Sequence, residues 1–478
     1  MTTSPWTSRQ PLDSRPVVPV EFGPLVARRD DEPMRRFRRY GLGQFIHFGL
    51  YSLLGGEYDG VRAPGAPEWI RAWHGPTAPA DWTTIYDGLN ESFDPAGLDA
   101  RVWARQAKAM GARYVIFTTK HHDGFALWPS AHSAYSVANS PFGRDLVGEV
   151  VDAYTAEGID VFLYFSVLDW SHPGYSDGPP ETDRARAGWQ EFLDYTRAQL
   201  LELLDRYPAA RGFWFDGTWG RAWVSSYEFT HALEQELRER RPGLIIGSRF
   251  RNDEHGARHF DTNGRLLGDY EQGWERKLPA DRAMLGGNDW DCVMTIGPNA
   301  WGWMRNTAGE YQKTADDLIE LLMRCRSMGG NLVINFGPDA DGRMTAYEDA
   351  VAEQLGAWIS ANADAVYDVG PADLDASGIG WLTASEDRLF LTVVNRPVNG
   401  VARLRLPADA ARVPVSARLL ASGRPLELRR TDLGLDLDDA VHYDTVLPAD
   451  FAADRAFVIE LTLGAPEGET VKRAEAWM

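Results

Sequence analysis

The chain reads as an α/β protein: a (β/α)8-like barrel over residues 35–365, then a C-terminal antiparallel β-sandwich over 366–478, with residues 1–34 as an arm on the barrel. Three observations predict this. At 478 residues the chain exceeds one ordinary core, and a barrel of roughly 250 residues or more accounts for most of it. From residue 41 to 362, short apolar runs alternate with helical periodicity, the pattern of a parallel α/β sheet. After residue 367 the helical period disappears and short strands follow one another between Pro, Gly and Asp turns. No G-x-G-x-x-G follows the first strand, which weakens the rival open sheet that binds a dinucleotide.

The elements follow in order. Residues 1–33 are rich in Pro and Arg with little periodicity. GLGQFIHFG (41–49) is a glycine-bounded strand that delivers His47 at its end. Residues 52–79 form a long loop rich in Gly, Pro and Trp, containing Glu68, Trp69 and Trp73; loops of that length inside a domain are usually functional. Asp99–Met110 carries Val102, Trp103, Ala107 and Met110 at helical spacing, and Gly111 ends it. RYVIFTT (113–119) is a strand running into Lys120, His121, His122, Asp123 and Gly124. Asp145–Glu157 is a helix closed by Gly158, and DVFLYFSV (160–167) a strand leading to Asp169. A helix over 184–207 precedes RGFWFDGTW (211–219), whose apolar core, Gly212 to Phe215, runs into Asp216. Tyr227–Arg240 is a helix and LIIGSR (244–249) a strand ending in Arg249. Residues 250–310 read as irregular and polar, holding Glu271, Glu275, Trp290, Trp301 and Trp303. Thr314–Met328 is a helix, NLVINF (331–336) a strand and Thr345–Asn362 a closing helix. Sandwich strands are expected at 388–395, 401–406, 416–420 and 456–463.

Composition excludes several classes. A net charge of −20 disfavours nucleic acid and anionic membranes as partners and suits a neutral substrate. No apolar run reaches the length of a transmembrane helix, and the N-terminal stretch has no apolar segment of a signal peptide, so a cytoplasmic location is expected. Cys292 and Cys325 make no disulfide framework. The 18 tryptophans exceed what burial alone asks for and suit stacking on the C–H faces of sugars.

In a closed barrel the strand ends converge, bringing His47, His121, His122, Asp169, Asp216 and Arg249 to one pocket. Glycoside hydrolysis needs two carboxyl groups there. Asp216, held at a buried strand end, is a candidate nucleophile; the alternative is that it caps the next helix. The partner acid must keep a proton near neutral pH, which a partly apolar loop allows. Glu275 and Glu271 both sit in such a loop, and position alone does not choose between them. A metal site built from His47, His121, His122 and Asp123 lacks any supporting H-E-x-x-H or Cys/His spacing, so no metal and no cofactor are expected. A Ser-His-Asp hydrolase is disfavoured because no G-x-S-x-G occurs; Ser248, in GSRF, lacks the second glycine.

KHHDGFALWPS (120–130), FWFDG (213–217), DYEQGWERKLP (269–279) and GGNLVINFGPDADG (329–342), with IHFG (46–49) and EWI (68–70), resemble family-29 glycoside hydrolases, the retaining α-L-fucosidases. The resemblance spans residues 35–365, in the same order. It implies a (β/α)8-like barrel, a following β-sandwich, and double displacement without metal or cofactor. Matched motif by motif, it makes Asp216 the nucleophile and places Trp214 in the fucose pocket. It puts His47, Glu68, Trp69, His121, His122 and Tyr164 against the sugar hydroxyls and methyl group, and Arg249 near the nucleophile. Trp301 is counted with these substrate contacts. For the acid/base, Glu275 fits the family's E-x-x-x-P spacing to Pro279 better than Glu271 does. Two departures are Gly247-Ser248, where the family often has Asn-Asp, and Trp290-Asp291, where it often has Trp-Glu.

The implied activity is exo-acting release of terminal α-L-fucosyl residues from a fucosylated oligosaccharide or glycoconjugate through a covalent fucosyl-enzyme, with the two carboxyl groups about 5–5.5 Å apart. The alternatives are an α-L-galactosidase-like specificity on the same site and a non-catalytic carbohydrate-binding relative. Homo-oligomerisation is left open.

Overall fold

The computed structural model describes residues 28–297, 300–372, 374, 376, 378–431, 440–451, 453 and 455–466. Most of the expected N-terminal arm therefore lies outside the described residues. Eight parallel strands form the first sheet: β1 (Leu42–Ile46), β2 (Tyr114–Lys120), β3 (Asp160–Ser166), β4 (Gly212–Asp216), β5 (Ile245–Ile246), β6 (Glu271–Glu275), β7 (Trp290–Thr295) and β8 (Asn331–Phe336). Their order is β5-β4-β3-β2-β1-β8-β7-β6. Two main-chain bonds join the end strands: Asp269 N donates to Ile246 O at 2.8 Å and Ser248 N to Tyr270 O at 3.0 Å. The sheet thus curls into the (β/α)8-like barrel.

Helices α1 (Glu32–Arg38), α2 (Ala100–Met110), α3 (Leu146–Ala156), α4 (Asp183–Arg206), α5 (Tyr227–Arg240), α6 (Ala315–Ser327) and α7 (Ala346–Ala361) accompany it. Their ends are set by local chemistry. Asp99 caps α2 and Gly111, at φ 95°, closes it in the left-handed region. Thr314 with Asp317, and Thr345 with Glu348, form capping boxes on α6 and α7. Trp103, Ala107 and Met110 face the core as their spacing implies, but Val102 is 52% exposed, one step off the buried stripe.

Strand alternation sorts side chains between two cores. On β4, Phe213 and Phe215 pack outward against the helices, whereas Trp214 points into the barrel. On β3, Val161, Leu163 and Phe165 face the helices while Phe162 and Tyr164 face inward. Helix α1 closes the bottom: Met34 and Phe37 join Tyr40, Tyr114, Phe162, Tyr270 and Val333 in an interior column whose top layer is Phe45, Tyr164 and Trp214. The next inward position on each strand is at the mouth.

The expectations for residues 244–310 need correction. The strand at 244–249 shortens to Ile245–Ile246, because Gly247 turns away so closely packed that a Cβ there would lie 2.1 Å from Gln272 Oε1. The stretch at 250–310 is not all irregular. It supplies β6 and β7, so Glu271 and Glu275 lie on a strand rather than in a loop. EQGWE, with two glutamates and a glycine against a single strand former, Trp274, has little strand propensity of its own; pairing with the fully buried β7 makes it a strand, through a register shift between Glu271 and Trp274. No helix follows β5. The long loop at 52–79 is also partly ordered, with a short helix (Tyr51–Leu54), a hairpin (Glu57–Tyr58 with Val61–Arg62) and a 3-10 turn (Pro67–Ala72).

The second sheet is antiparallel throughout: β9 (Gly370–Pro371), β10 (Gly380–Ala384), β11 (Arg388–Val393), β12 (Val401–Pro407), β13 (Val413–Leu419), β14 (Pro425–Thr431), β15 (Ala440–Val446) and β16 (Phe457–Gly464). Their order, β9-β10-β11-β16-β13-β14-β15-β12, folds over a core that includes Leu391, Leu404, Leu419, Tyr443 and Leu461. Phe390 and Val458 turn the other way and pack with the barrel core, and Trp358 of α7 donates to Ala456 O at 2.7 Å. The β-sandwich is thereby docked on the barrel. Strands at 380–384, 425–431 and 440–446 were not anticipated from sequence. Among the described residues, no helix is long and apolar enough to cross a membrane.

Candidate active site

At the C-terminal mouth of the barrel is a cavity of about 880 Å3. Its floor is Phe45, Tyr164 and Trp214, the top layer of the interior column. Asp216 follows Trp214 by two positions, so the same alternation that buries the indole aims the carboxylate into the cavity. Gly217, at φ 73°, then turns the chain where a Cβ would meet Leu168 Cβ at 2.5 Å.

Three groups surround Asp216. Tyr164 Oη donates to Oδ2 at 3.0 Å. Arg249 donates through one terminal nitrogen to Oδ1 at 3.1 Å. His122 Nε2 lies 3.7 Å from Oδ2. The other terminal nitrogen of Arg249 donates to Glu275 Oε2 at 2.6 Å, and its Nε to Gln272 O at 2.8 Å. One guanidinium therefore clamps both carboxylates while stacking over Trp214, 4.8 Å from the ring centroid. Burial opposes the charge on Arg249, but the two carboxylates hold its pKa above the ordinary value.

The histidines are neutral acceptors. Burial lowers His47 and His122 to about 3, and lowers His121 well below the ordinary imidazole value. Ser166 Oγ donates to Leu168 O at 2.7 Å, so it accepts from His122 Nδ1 at 2.7 Å. This bonding pattern assigns the proton to Nδ1 and leaves Nε2, facing Asp216, as a bare acceptor. Asn335 Nδ2 donates to Trp301 O at 2.7 Å, which turns its Oδ1 to accept from His47 Nδ1 at 2.6 Å. His47 is locked in the same tautomer. A carboxylate and two bare imidazole nitrogens on one wall call for a ligand rich in hydroxyl donors.

Glu68 is buried in the cavity wall and accepts from Trp301 N at 3.2 Å and Gly302 N at 3.0 Å. Burial raises it to about 7 despite those bonds. It ties the loop bearing Trp69 to the segment bearing Trp301. Trp69 and Trp219 are parallel, 6.2 Å apart at 9°, and both pack edge-on to His122. Trp301 leans on His47, with centroids 5.3 Å apart.

The cavity thus gathers His47, Glu68, Trp69, His121, His122, Tyr164, Trp214, Asp216, Glu275 and Trp301, with the Arg249 clamp beside them. Three residues weighed for the site fall elsewhere: Asp169, expected at the mouth; Asp123, considered only as a metal ligand; and Glu271, the alternative acid/base. Asp169 accepts from Lys120 Nζ at 2.8 Å in a fully buried ion pair on the outer side of the strands, beside Gln199 of α4, because the β2 bulge after Thr118 sends Lys120 outward. Asp123 accepts from Tyr86 Oη at 2.9 Å and Phe125 N at 3.2 Å, turned away from the imidazoles. Glu271 does not line the cavity: the register shift in β6 separates its face from that of Glu275, and burial raises it to about 7. Among the described residues no group of three or more His, Cys, Asp or Glu is placed to hold a metal ion. Ser248 does meet a histidine, with Oγ 3.0 Å from His259 Nδ1, but it is fully buried and outside the cavity.

Sequence reasoning passed over Arg276, Asn335 and Ser166, and held Trp219 only as the end of the aromatic stretch at 211–219. Strand alternation was the available signal for two of them: Ser166 is two residues past Tyr164, and Asn335 two past Val333, both inward positions.

Paired carboxylates, hydroxyl acceptors and aromatic walls at the mouth of a (β/α)8-like barrel define a glycoside hydrolase. The family model described as Alpha-L-fucosidase matches residues 20–364. A Bacteroides thetaiotaomicron family-29 α-L-fucosidase crystal structure superposes with a TM-score of 0.86 at 39% identity, covering 94% of this chain and 98% of that one. A trapped covalent intermediate of an α-L-fucosidase from that organism, formed with 2-fluoro-fucosyl fluoride in a glutamate-to-glutamine mutant, gives 0.85 at 39%, covering 94% and 100%. An α-L-fucosidase of Branchiostoma floridae is 30% identical over 402 residues, 80% of this chain and 84% of that one. The chain belongs to the alpha-L-fucosidase family.

Proposed function

We propose that the protein is an exo-acting retaining α-L-fucosidase that releases terminal α-L-fucose from glycans by double displacement. The observation that carries this reading is the Arg249 clamp on Asp216 and Glu275. It keeps two carboxyl groups close at one sugar-sized site, as retention needs. In the first step Asp216 attacks the anomeric carbon. The C–O bond to the leaving group breaks as the departing oxygen takes a proton from Glu275, which enters this step protonated and leaves it as the carboxylate that Arg249 holds. In the second step Glu275 takes a proton from water, the oxygen attacks the same carbon, and the Asp216 ester bond breaks. Glu275 is chosen over Glu271 because it lines the cavity and Glu271 does not. Its Oε2 is bound by Arg249, which leaves Oε1 with only the Arg276 guanidinium, at 3.9 Å.

His47 and His122 accept hydrogen bonds from the sugar hydroxyls. The aromatic floor favours the fucose methyl over the hydroxymethyl of L-galactose. The test is azide rescue. Glu275→Gln should lose turnover of an aryl α-L-fucoside, recover it with azide and give fucosyl azide. Glu271→Gln should retain activity without azide. The reverse pattern would move the acid/base role to Glu271.

A further inference from the structure

A second groove of about 850 Å3 adjoins the cavity. The two share Pro64, Gly65, Ala66 and Arg276 as a common wall. Beyond that wall the groove is lined by Thr77, Met304, Arg62 and Glu310. Arg62, on the exposed hairpin, pairs with Glu310 at 3.2 Å, so the far rim joins the long loop after β1 to the segment after β7. Arg276 stands at the junction. Its guanidinium lies 5.7 Å from the Trp301 ring centroid and 3.9 Å from Glu275 Oε1. Its φ of 54° is a left-handed conformation, unfavourable for a non-glycine residue, held immediately after Glu275.

We propose that this groove binds the leaving group, and that the preferred substrate is an oligosaccharide with at least two sugars beyond the terminal fucose. This rests on the proposed function, because the groove acquires its meaning from the bond broken between Asp216 and Glu275. A fucosyl ring fills only the inner part of an 880 Å3 cavity. The first leaving-group sugar then lies between Glu275 and the Trp69–Trp219 pair, and the second passes over Pro64–Ala66. There the lining changes from aromatic to mixed. Pro64 and Met304 offer apolar surface to C–H faces, and Arg276, Arg62, Glu310 and Thr77 offer groups for hydroxyls. A continuous groove with alternating apolar and hydrogen-bonding lining suits a glycan chain. Binding energy from this remote sugar is available to the transition state at Asp216.

The test measures fucose release from an aryl α-L-fucoside, a fucosyl disaccharide and the corresponding linear trisaccharide with terminal fucose. The wild-type protein should show kcat/KM about tenfold higher for the trisaccharide than for the disaccharide. Arg62→Glu, which sets a second carboxylate against Glu310 and breaks the far rim of the groove, should bring that ratio near unity. Met304→Ala should lower the ratio in the same direction and serves if Arg62→Glu does not fold. A wild-type ratio near unity overturns the inference. So does an Arg62→Glu effect of equal size on all three substrates. If the wild type releases no fucose even from the aryl fucoside, the proposed function itself fails, and this inference with it.

Discussion

Tyr164→Phe removes one hydroxyl and keeps the ring, which stacks on Trp214 at 5.5 Å and on His121 at 5.6 Å. What is lost is the 3.0 Å bond from Tyr164 Oη to Asp216 Oδ2. A hydrogen bond to a charged acceptor contributes about 1.5–3 kcal/mol. Its value follows the charge on Asp216, and that charge differs between the two steps. During glycosylation the carboxylate is consumed, so the bond is strongest in the ground state and about half as strong at the transition state. During deglycosylation the carboxylate is regenerated, so the transition state gains about half the bond, roughly 0.8–1.5 kcal/mol. Removing the hydroxyl should slow deglycosylation roughly 4- to 12-fold and leave glycosylation unchanged or faster. The assay is stopped-flow release of an aryl leaving group. Tyr164→Phe should show a burst of about one equivalent per site, followed by a slowed steady state. Equal slowing of both phases by 100-fold would refute the argument, because it would mean that Tyr164 holds the site's shape rather than the charge on Asp216.

Further outcomes follow from the same geometry. Arg249→Met should lower kcat/KM by about 10²–10³-fold, and Arg249→Lys should not restore it, since a single ammonium cannot reproduce three directed bonds to Asp216, Glu275 and Gln272 O; steady-state kinetics on an aryl fucoside decide. Asp291, buried with Oδ2 unpartnered, has its carboxyl raised by burial from 3.8 to about 8. A raised pKa contributes stability that is fully present below 3.8 and lost as pH climbs through 8. Asp291→Asn should therefore gain on the wild type with rising pH, the gap widening by roughly 3–4 kcal/mol between pH 5 and pH 8 in urea unfolding. A gap independent of pH would contradict the burial argument. His47 and His122 act at the acid end. Their pKa values, lowered to about 3, contribute stability present above 6.5 and lost as pH falls toward 3, readable in the same titration of the wild-type protein.

The barrel was legible where sequence chemistry is local. Strand β4 is apolar and runs into Asp216, α2 has its cap and its terminal glycine, and α6 and α7 carry capping threonines. What failed was context-dependent. Strand β6 contains two glutamates and a glycine and exists because β7 pairs with it, which no propensity within EQGWE reveals. The site followed the same division. Residues at inward strand positions were brought to the cavity, but Asp169 was misplaced because a single bulge after Thr118 redirects Lys120 to pair with it on the outer side of the strands, against α4. The choice between Glu275 and Glu271 likewise depends on a register shift that period-two reasoning cannot detect.

The central claim is that Asp216 forms a bond to the anomeric carbon of the sugar. Incubation of the protein with 2-fluoro-fucosyl fluoride, proteolysis and mass spectrometry test it directly. The account predicts one fluorofucosyl adduct per chain, on the peptide containing Asp216, and none in Asp216→Ala. Adduct on another peptide, or none from a protein that turns over aryl fucosides, would contradict it.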